Sequence, residues 1–250
     1  MKHITIEICC GSYEDVVIAQ QAGADRVELN SAMFLGGLTP TLGCIIETKK
    51  NCTIPVIAMI RPREAGFCYS RHEYAVMKQD AQLFLDHGVD GLVFGFLNSD
   101  GTFDTSRMAE FTQMCHDAGK QAVCHRAFDV TPDPFAALDT LIELRVHRVL
   151  TSGQMPSVIS GAGLIARLIE HAAGRIEILP GAGLNHSNVA DFIVKTGADQ
   201  VHFAAESLRA ETSTQANPAI YFGGALYPRE DVVSVADADK IRLVAAMLGR

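Results

Sequence analysis

The residues able to do chemistry in this chain fall at the ends of short apolar runs. Cys9 and Cys10 close "HITIEICC", which also carries Glu7. Glu28 and Asn30 lie in "VELN", Arg61 closes "IPVIAMIR", and His202 sits in "QVHF". Residues 123–129 read "VCHRAFD", placing a cysteine, His125, Arg126 and Asp129 close together. Such a stretch can bind a metal, carry out acid/base chemistry, or simply end a strand. His125 beside Glu7 or Glu28 suits a general acid/base couple, because a neighbouring carboxylate raises an imidazole pKa toward working pH. Arg61 and Arg126 suit the binding of an anion. Asp129 is placed to orient a loop or an arginine.

The chain repeats one pattern: a helix, a glycine stop, a turn, then branched residues. "AGADRVEL", "HGVDGLVF", "LRVHRVLT" and "TGADQVHF" are four copies, and Arg145 stands where the third lacks its glycine. A glycine suits that position because the residue ending the helix takes a positive φ. "HITIEICC", "IPVIAMIR", "QAVCHRAF" and "RIEILPGAG" supply four more strands. Helix starts are expected at Ser12 with Asp15, at Thr39 with Pro40 following, and at Ser70 with Glu73. Eight strand–helix units of roughly 31 residues predict an α/β fold, a single (β/α)8 TIM barrel over residues 1–250. A doubly wound sheet is the alternative, but "EICCGSYED" lacks the glycine-rich turn expected after its first strand. Residues 205–234, with "NPAIYFGGALYP", read as a long loop segment before a final helix at about 236–248.

In such barrels the site lies where strands end. Alternation along each strand turns Glu7 and Cys9, Glu28 and Asn30, Met59 and Arg61, His125, Glu177, and Gln200 and His202 toward the axis. Buried charges need partners, so these groups either pair among themselves or bind something. For Glu177 and Gln200, early on their strands, a structural pairing is the expectation. The turns "TSGQ" and "PGAGLNHSN" make Ser152, Gly181 and Gly183 candidates for an anion site.

The composition limits the partners. A net charge of −8 and the absence of a basic run argue against a nucleic-acid footprint. The longest apolar runs are strand-sized, so no membrane span is expected, and Glu7 interrupts any signal-peptide core. Seven irregularly spaced cysteines without a CxxC argue against a disulfide framework or a zinc site. The expectation is a cytoplasmic protein with free thiols and no organic cofactor.

"ADRVELNSAMFLGGLTPTLG", "IPVIAMIRPR", "CHRAFD", "LTSGQ" and "ILPGAGLN", in this order, resemble the CutC family over residues 4–204. The resemblance implies a cytoplasmic barrel, a homodimer, and a disputed association with copper homeostasis, with no agreed reaction. Copper-ligand candidacy carries over to Cys9, with Cys10 as its neighbour. Where some relatives have a cysteine in "ELN", this chain has Asn30, and its eighth strand ends "VHFAA" where relatives tend to carry a Gly-Ser pair.

Copper(I) prefers thiolate and thioether ligands, so Met33 and Met59 are the methionines to watch near Cys9. Cys10 alternates away from Cys9, and Cys124 away from His125. Three readings stay open: copper(I) binding, an enzyme acting on a small anionic or phosphorylated metabolite, and a non-catalytic ligand sensor.

Overall fold

The computed structural model describes residues 3–223 and 229–250. Eight parallel strands form the barrel: β1 (Thr5–Cys10), β2 (Arg26–Leu29), β3 (Val56–Met59), β4 (Gly91–Phe94), β5 (Gln121–Cys124), β6 (Arg148–Thr151), β7 (Glu177–Pro180) and β8 (Gln200–Phe203). Hydrogen-bonded neighbours run β7-β6-β5-β4-β3-β2-β1-β8, and β7 and β8 meet at the seam. There Gln200 Nε2 donates to the Glu177 carboxylate at 3.4 Å. All eight strands coincide with the apolar runs read from the sequence, and the fold is the expected TIM barrel.

Helices α1 (Tyr13–Gln21), α2 (Leu42–Asn51), α3 (Arg71–Asp86), α4 (Thr105–Asp117), α5 (Pro134–Glu143), α6 (Val158–Ala172), α7 (Val189–Thr196) and α8 (Ala238–Met247) follow the strands in turn. The main core lies between strands and helices, where Ile6, Ile8, Val27, Leu29 and Phe94 are buried. Inside the barrel, Ile57, Met59, Val93 and Val123 form a small apolar cluster of their own. Beside it lie the buried polar and charged side chains Glu7, Arg26, Glu28, Arg148, Gln200 and His202, and they set up the site.

Ser12 caps α1 by accepting from the Asp15 amide, and Ser70 and Glu73 form a reciprocal capping box on α3. Thr39 does not cap α2, which starts two residues later on Thr41. Ser31 and Leu38 pair as a β-bridge, and Thr39 Oγ1 instead accepts from the Arg61 amide at 2.9 Å. Arg145 takes the left-handed conformation that the missing glycine would supply, with φ of 59°. Its neighbours keep the helix-stop bonds, Val146 N–H to Leu141 O and Arg145 N–H to Ile142 O.

Residues 205–234 are not simply a loop. They contain most of an antiparallel hairpin, β9 (Glu206–Ala210) with β10 (Val232–Ala236). It is tied to α1 through the Ala236 amide, which donates to Asp15 Oδ1 at 2.7 Å, and through Arg209 with Glu14 at 2.6 Å. The branched run "VVSV" (232–235) carried this signal, but its partner strand is too polar to read as one. Residues 224–228 of "NPAIYFGGALYP", and Met1 and Lys2, lie outside the described residues. Among the described residues, no helix is long and apolar enough to cross a membrane.

Candidate functional site

Glu7 is the hub of the polar interior. Its carboxylate accepts from Arg26 Nε through one oxygen and pairs with His202 Nδ1 through the other at 2.8 Å. Burial pushes this carboxyl up, but Arg26 and His202 outweigh it and hold it far below the usual range. Arg26 also donates to Gln200 at 3.0 Å, and Arg148 pairs with Glu177 at 2.6 Å. Glu177 and Gln200 thus take the structural pairings expected of them. The sequence reading did not single out Arg26 or Arg148, although alternation from Glu28 puts Arg26 on the inward face of β2.

One step nearer the mouth, Cys9, Glu28 and His202 bring a sulfur, a carboxylate oxygen and an imidazole nitrogen within 4.8 Å of one another. Cys9 Sγ lies 3.7 Å from Glu28 Oε1 and 3.9 Å from Met33 Sδ. Met33 arrives on a 3-10 turn, Met33–Leu35, which leads into Gly36 and Gly37. Gly37, at φ 82°, passes over Asn30 so closely that a Cβ would meet Asn30 Oδ1 at 2.5 Å. Asn30 Nδ2 then donates to Glu28 Oε1 at 2.9 Å. Burial pushes the Cys9 thiol well up, and the Glu28 charge adds to it. Burial also raises the Glu28 carboxyl. For His202 burial works against the charge, but Glu28 and the Glu7 hydrogen bond outweigh it and raise the imidazole pKa. Cys10 does not reach this cluster; it is packed in the core between the barrel and the helices, as alternation requires.

The opposite wall is built from Arg61 and His125. Arg61 is 6% exposed, with Nη1 donating to Leu35 O and Gly37 O at 3.0 and 2.9 Å and Nη2 to Ala65 O at 2.9 Å. Its Nε has no partner, and among the described residues no carboxylate pairs with it. His125 is 3% exposed and accepts the Ala127 amide on Nδ1 at 3.1 Å, which leaves the proton on Nε2. That Nε2 is also unpartnered. Burial, reinforced by the Arg61 charge, pushes the imidazole pKa down to about 3, so His125 stays neutral. The carboxylate–imidazole couple expected at His125 forms instead between Glu7 and His202.

At the rim, Asp129 gathers the loops after β5 and β6. It accepts from Thr151 Oγ1, the amides of Ser152 and Gln154, Ser152 Oγ, and Arg126 Nε at 2.8 Å. Arg126 Nη2 donates to Ser152 Oγ at 2.8 Å, and that hydroxyl also reaches Met155 O at 2.6 Å. The loop anchors Asp129, Ser152 and part of Arg126 are therefore engaged with one another. A Cβ on Gly181 would meet Leu150 Cδ1 at 2.8 Å and His202 Cδ2 at 3.1 Å, so side chains fill the space above this turn. Gly183, at φ 95°, lines the mouth itself.

Both walls face one cavity of about 440 Å³, lined by Cys9, Glu28 and His202 on one side and by Arg61, Phe67 and His125 on the other. The thiol, thioether and imidazole on the first side are soft or borderline donors suited to a cuprous ion. On the second side, Arg61 Nε and His125 Nε2 make no hydrogen bond among the described residues.

The model of the CutC family matches residues 4–207. A "family protein CutC" from Treponema denticola is 55% identical over 99% of this chain and 100% of its own length. The human "Copper homeostasis protein cutC homolog" is 40% identical over 97% of this chain and 88% of its own. The crystal structure of the CutC protein from Streptococcus agalactiae superposes with a TM-score of 0.75 at 32% identity, covering 80% of this chain and 98% of that one. At 18% identity and a TM-score of 0.58, 3-hexulose-6-phosphate synthase from Salmonella typhimurium shares the barrel and shows the fold alone. The matched range spans all eight strands of the barrel. This chain belongs to the CutC family.

Proposed function

We propose that this protein acts in copper homeostasis and that its barrel mouth takes up cuprous ion as cargo through Cys9, Met33 and His202. The observation that carries the reading is the convergence of Cys9 Sγ, Met33 Sδ and the His202 ring, with Glu28 beside them. Relatives named for copper homeostasis point to the same metal. The donor set fits: copper(I) favours two or three soft ligands, and imidazole completes what thiolate and thioether begin.

The surrounding residues prepare the donors. Glu7 engages His202 Nδ1, so Nε2 is left to face the ion, the arrangement by which a carboxylate orients a ligating histidine. Glu28 lies within reach of the Cys9 thiol and accepts its proton as the sulfur turns to the metal. Seven free cysteines suit a protein of the reducing cytoplasm, where copper is carried as the cuprous ion.

The test is an anaerobic titration of copper(I) against a competing chelator. Wild type is expected to bind one ion tightly, Cys9→Ala to lose that binding, and Cys10→Ala to keep it. Retention of full affinity by Cys9→Ala overturns the site.

A further inference from the structure

We propose that the wall of the mouth formed at the ends of β3 and β5 binds the carboxylate of a small organic acid, with Arg61 Nε and His125 Nε2 as its donors. Both side chains are more than nine-tenths buried, and both present a donor with no acceptor among the described residues. A buried donor left unpaired costs about 1–3 kcal/mol, and a buried cation lacking a counter-ion costs more. Two such deficits on one cavity wall are resolved together by a single oxyanion.

Backbone groups hold the remaining polar atoms of both side chains. Three backbone carbonyls hold the terminal nitrogens of Arg61, leaving Nε as its unspent side. The Ala127 amide holds His125 by Nδ1, and Gly95 supplies the room for that edge of the ring, since a Cβ there would meet Cε1 at 2.5 Å and Nδ1 at 2.7 Å. Phe67 touches both groups, its ring 5.4 Å from Arg61 Cζ and 4.7 Å from the His125 ring. One aromatic side chain thereby fixes the two donors relative to each other.

The ligand class follows from charge and shape. Arg61 supplies one full positive charge and His125 only a neutral N–H, which matches a monoanion better than a phosphate dianion. The rest of the cavity includes Met59, Leu150, Leu184 and Phe203, an apolar lining for the body of the acid. The glycine turn after β7, the phosphate position in many barrels, is filled here by Leu150 and His202. Neither Arg61 nor His125 is among the proposed copper ligands, so the two sites stand or fall separately.

The experiment uses the full-length, metal-free protein labelled with ¹⁵N-histidine. It is titrated with acetate, benzoate and 3-phenylpropionate, with the amide of 3-phenylpropionate, and with inorganic phosphate. The three carboxylates are expected to shift the His125 Nε2 signal saturably and to raise Tm, most strongly for those with an apolar body. The amide and phosphate are expected to do neither. Arg61→Lys and His125→Asn, the latter chosen because asparagine can still accept the Ala127 amide, are expected to weaken binding about tenfold or more. The wild-type signal needs no substitution, so the result holds even if a variant folds poorly. No saturable shift with any carboxylate, equal binding of the amide, preference for phosphate, or unchanged affinity in both folded variants would each overturn the proposal.

Discussion

Nδ1 of His202 lies 2.8 Å from Glu7 Oε1, while the other oxygen of the same carboxylate is held by Arg26. One buried carboxylate therefore serves both Arg26 and His202, joining the base of the barrel to a candidate metal ligand at its mouth. Replacing it leaves Arg26, a buried side chain, without its ion pair. Glu7→Gln is expected to cost about 3–5 kcal/mol, the usual penalty for breaking a buried pair from one side. Urea denaturation measures the loss, and Glu7→Gln/Arg26→Met should recover part of it. A cost under about 1 kcal/mol for the single substitution would show that the pairing is not structurally important.

Met33 tests the metal site without disturbing charge. Met33→Leu nearly preserves volume, so stability should change by less than about 1.5 kcal/mol. The thioether is lost, and copper(I) affinity should fall about tenfold or more in the chelator competition. Equal affinity in wild type and variant would remove Met33 from the donor set.

Much of this architecture is legible in the sequence, because helix-stop glycines and branched runs mark each strand and alternation then assigns its faces. That is how Glu7, Cys9, Glu28, Arg61, His125 and His202 were assigned to one mouth. Which inward residues meet is a different matter, since it depends on the stagger between neighbouring strands. Glu7 is in register with His202 on β8 and with Arg26 on β2, and no local pattern contains that offset. His125, read from the sequence beside Glu7 or Glu28, has no carboxylate partner among the described residues. The Thr39-Pro40 pair resembles a helix start, but the Ser31–Leu38 bridge delays α2 and gives Thr39 a different role.

Arg145 offers a test of the repeat itself. A non-glycine residue in the left-handed region costs roughly 1–2 kcal/mol, and glycine's greater freedom in the unfolded chain takes back part of the gain. Arg145 is exposed, so little packing is at stake. Arg145→Gly is expected to stabilise the fold by roughly 0.5–1 kcal/mol, seen as a higher denaturation midpoint at unchanged slope. Arg145→Ala should not reproduce the gain.

The neutral state of His125 makes a pH-dependent contribution to stability of known sign. Unfolded, the imidazole takes a proton below its ordinary value of 6.5; folded, it stays neutral down to about 3. Between those values the unfolded chain binds more protons, so stability rises with pH in this window and falls as the solution is acidified. The slope from this one group is about 1.4 kcal/mol per pH unit. His125→Asn is expected to flatten the stability profile from pH 6 to 4 by about that amount, whatever its effect at pH 8. Glu7 and the other shifted carboxylates act in both proteins and largely cancel in the comparison.

Gly95 determines where that imidazole can stand. A methyl group there would meet His125 Cε1 at 2.5 Å, Nδ1 at 2.7 Å and Ala127 Cβ at 2.8 Å. The ring cannot retreat without losing either the Ala127 amide or its packing on Phe67, so Gly95→Ala forces the imidazole to move. Overpacking of this kind costs about 1–3 kcal/mol, read as a lower melting temperature. The more telling outcome is at the mouth: displaced His125 should lose carboxylate binding, while copper(I) binding on the Cys9 wall is retained. If both activities disappear together in a variant that remains folded, the two walls form one site rather than two.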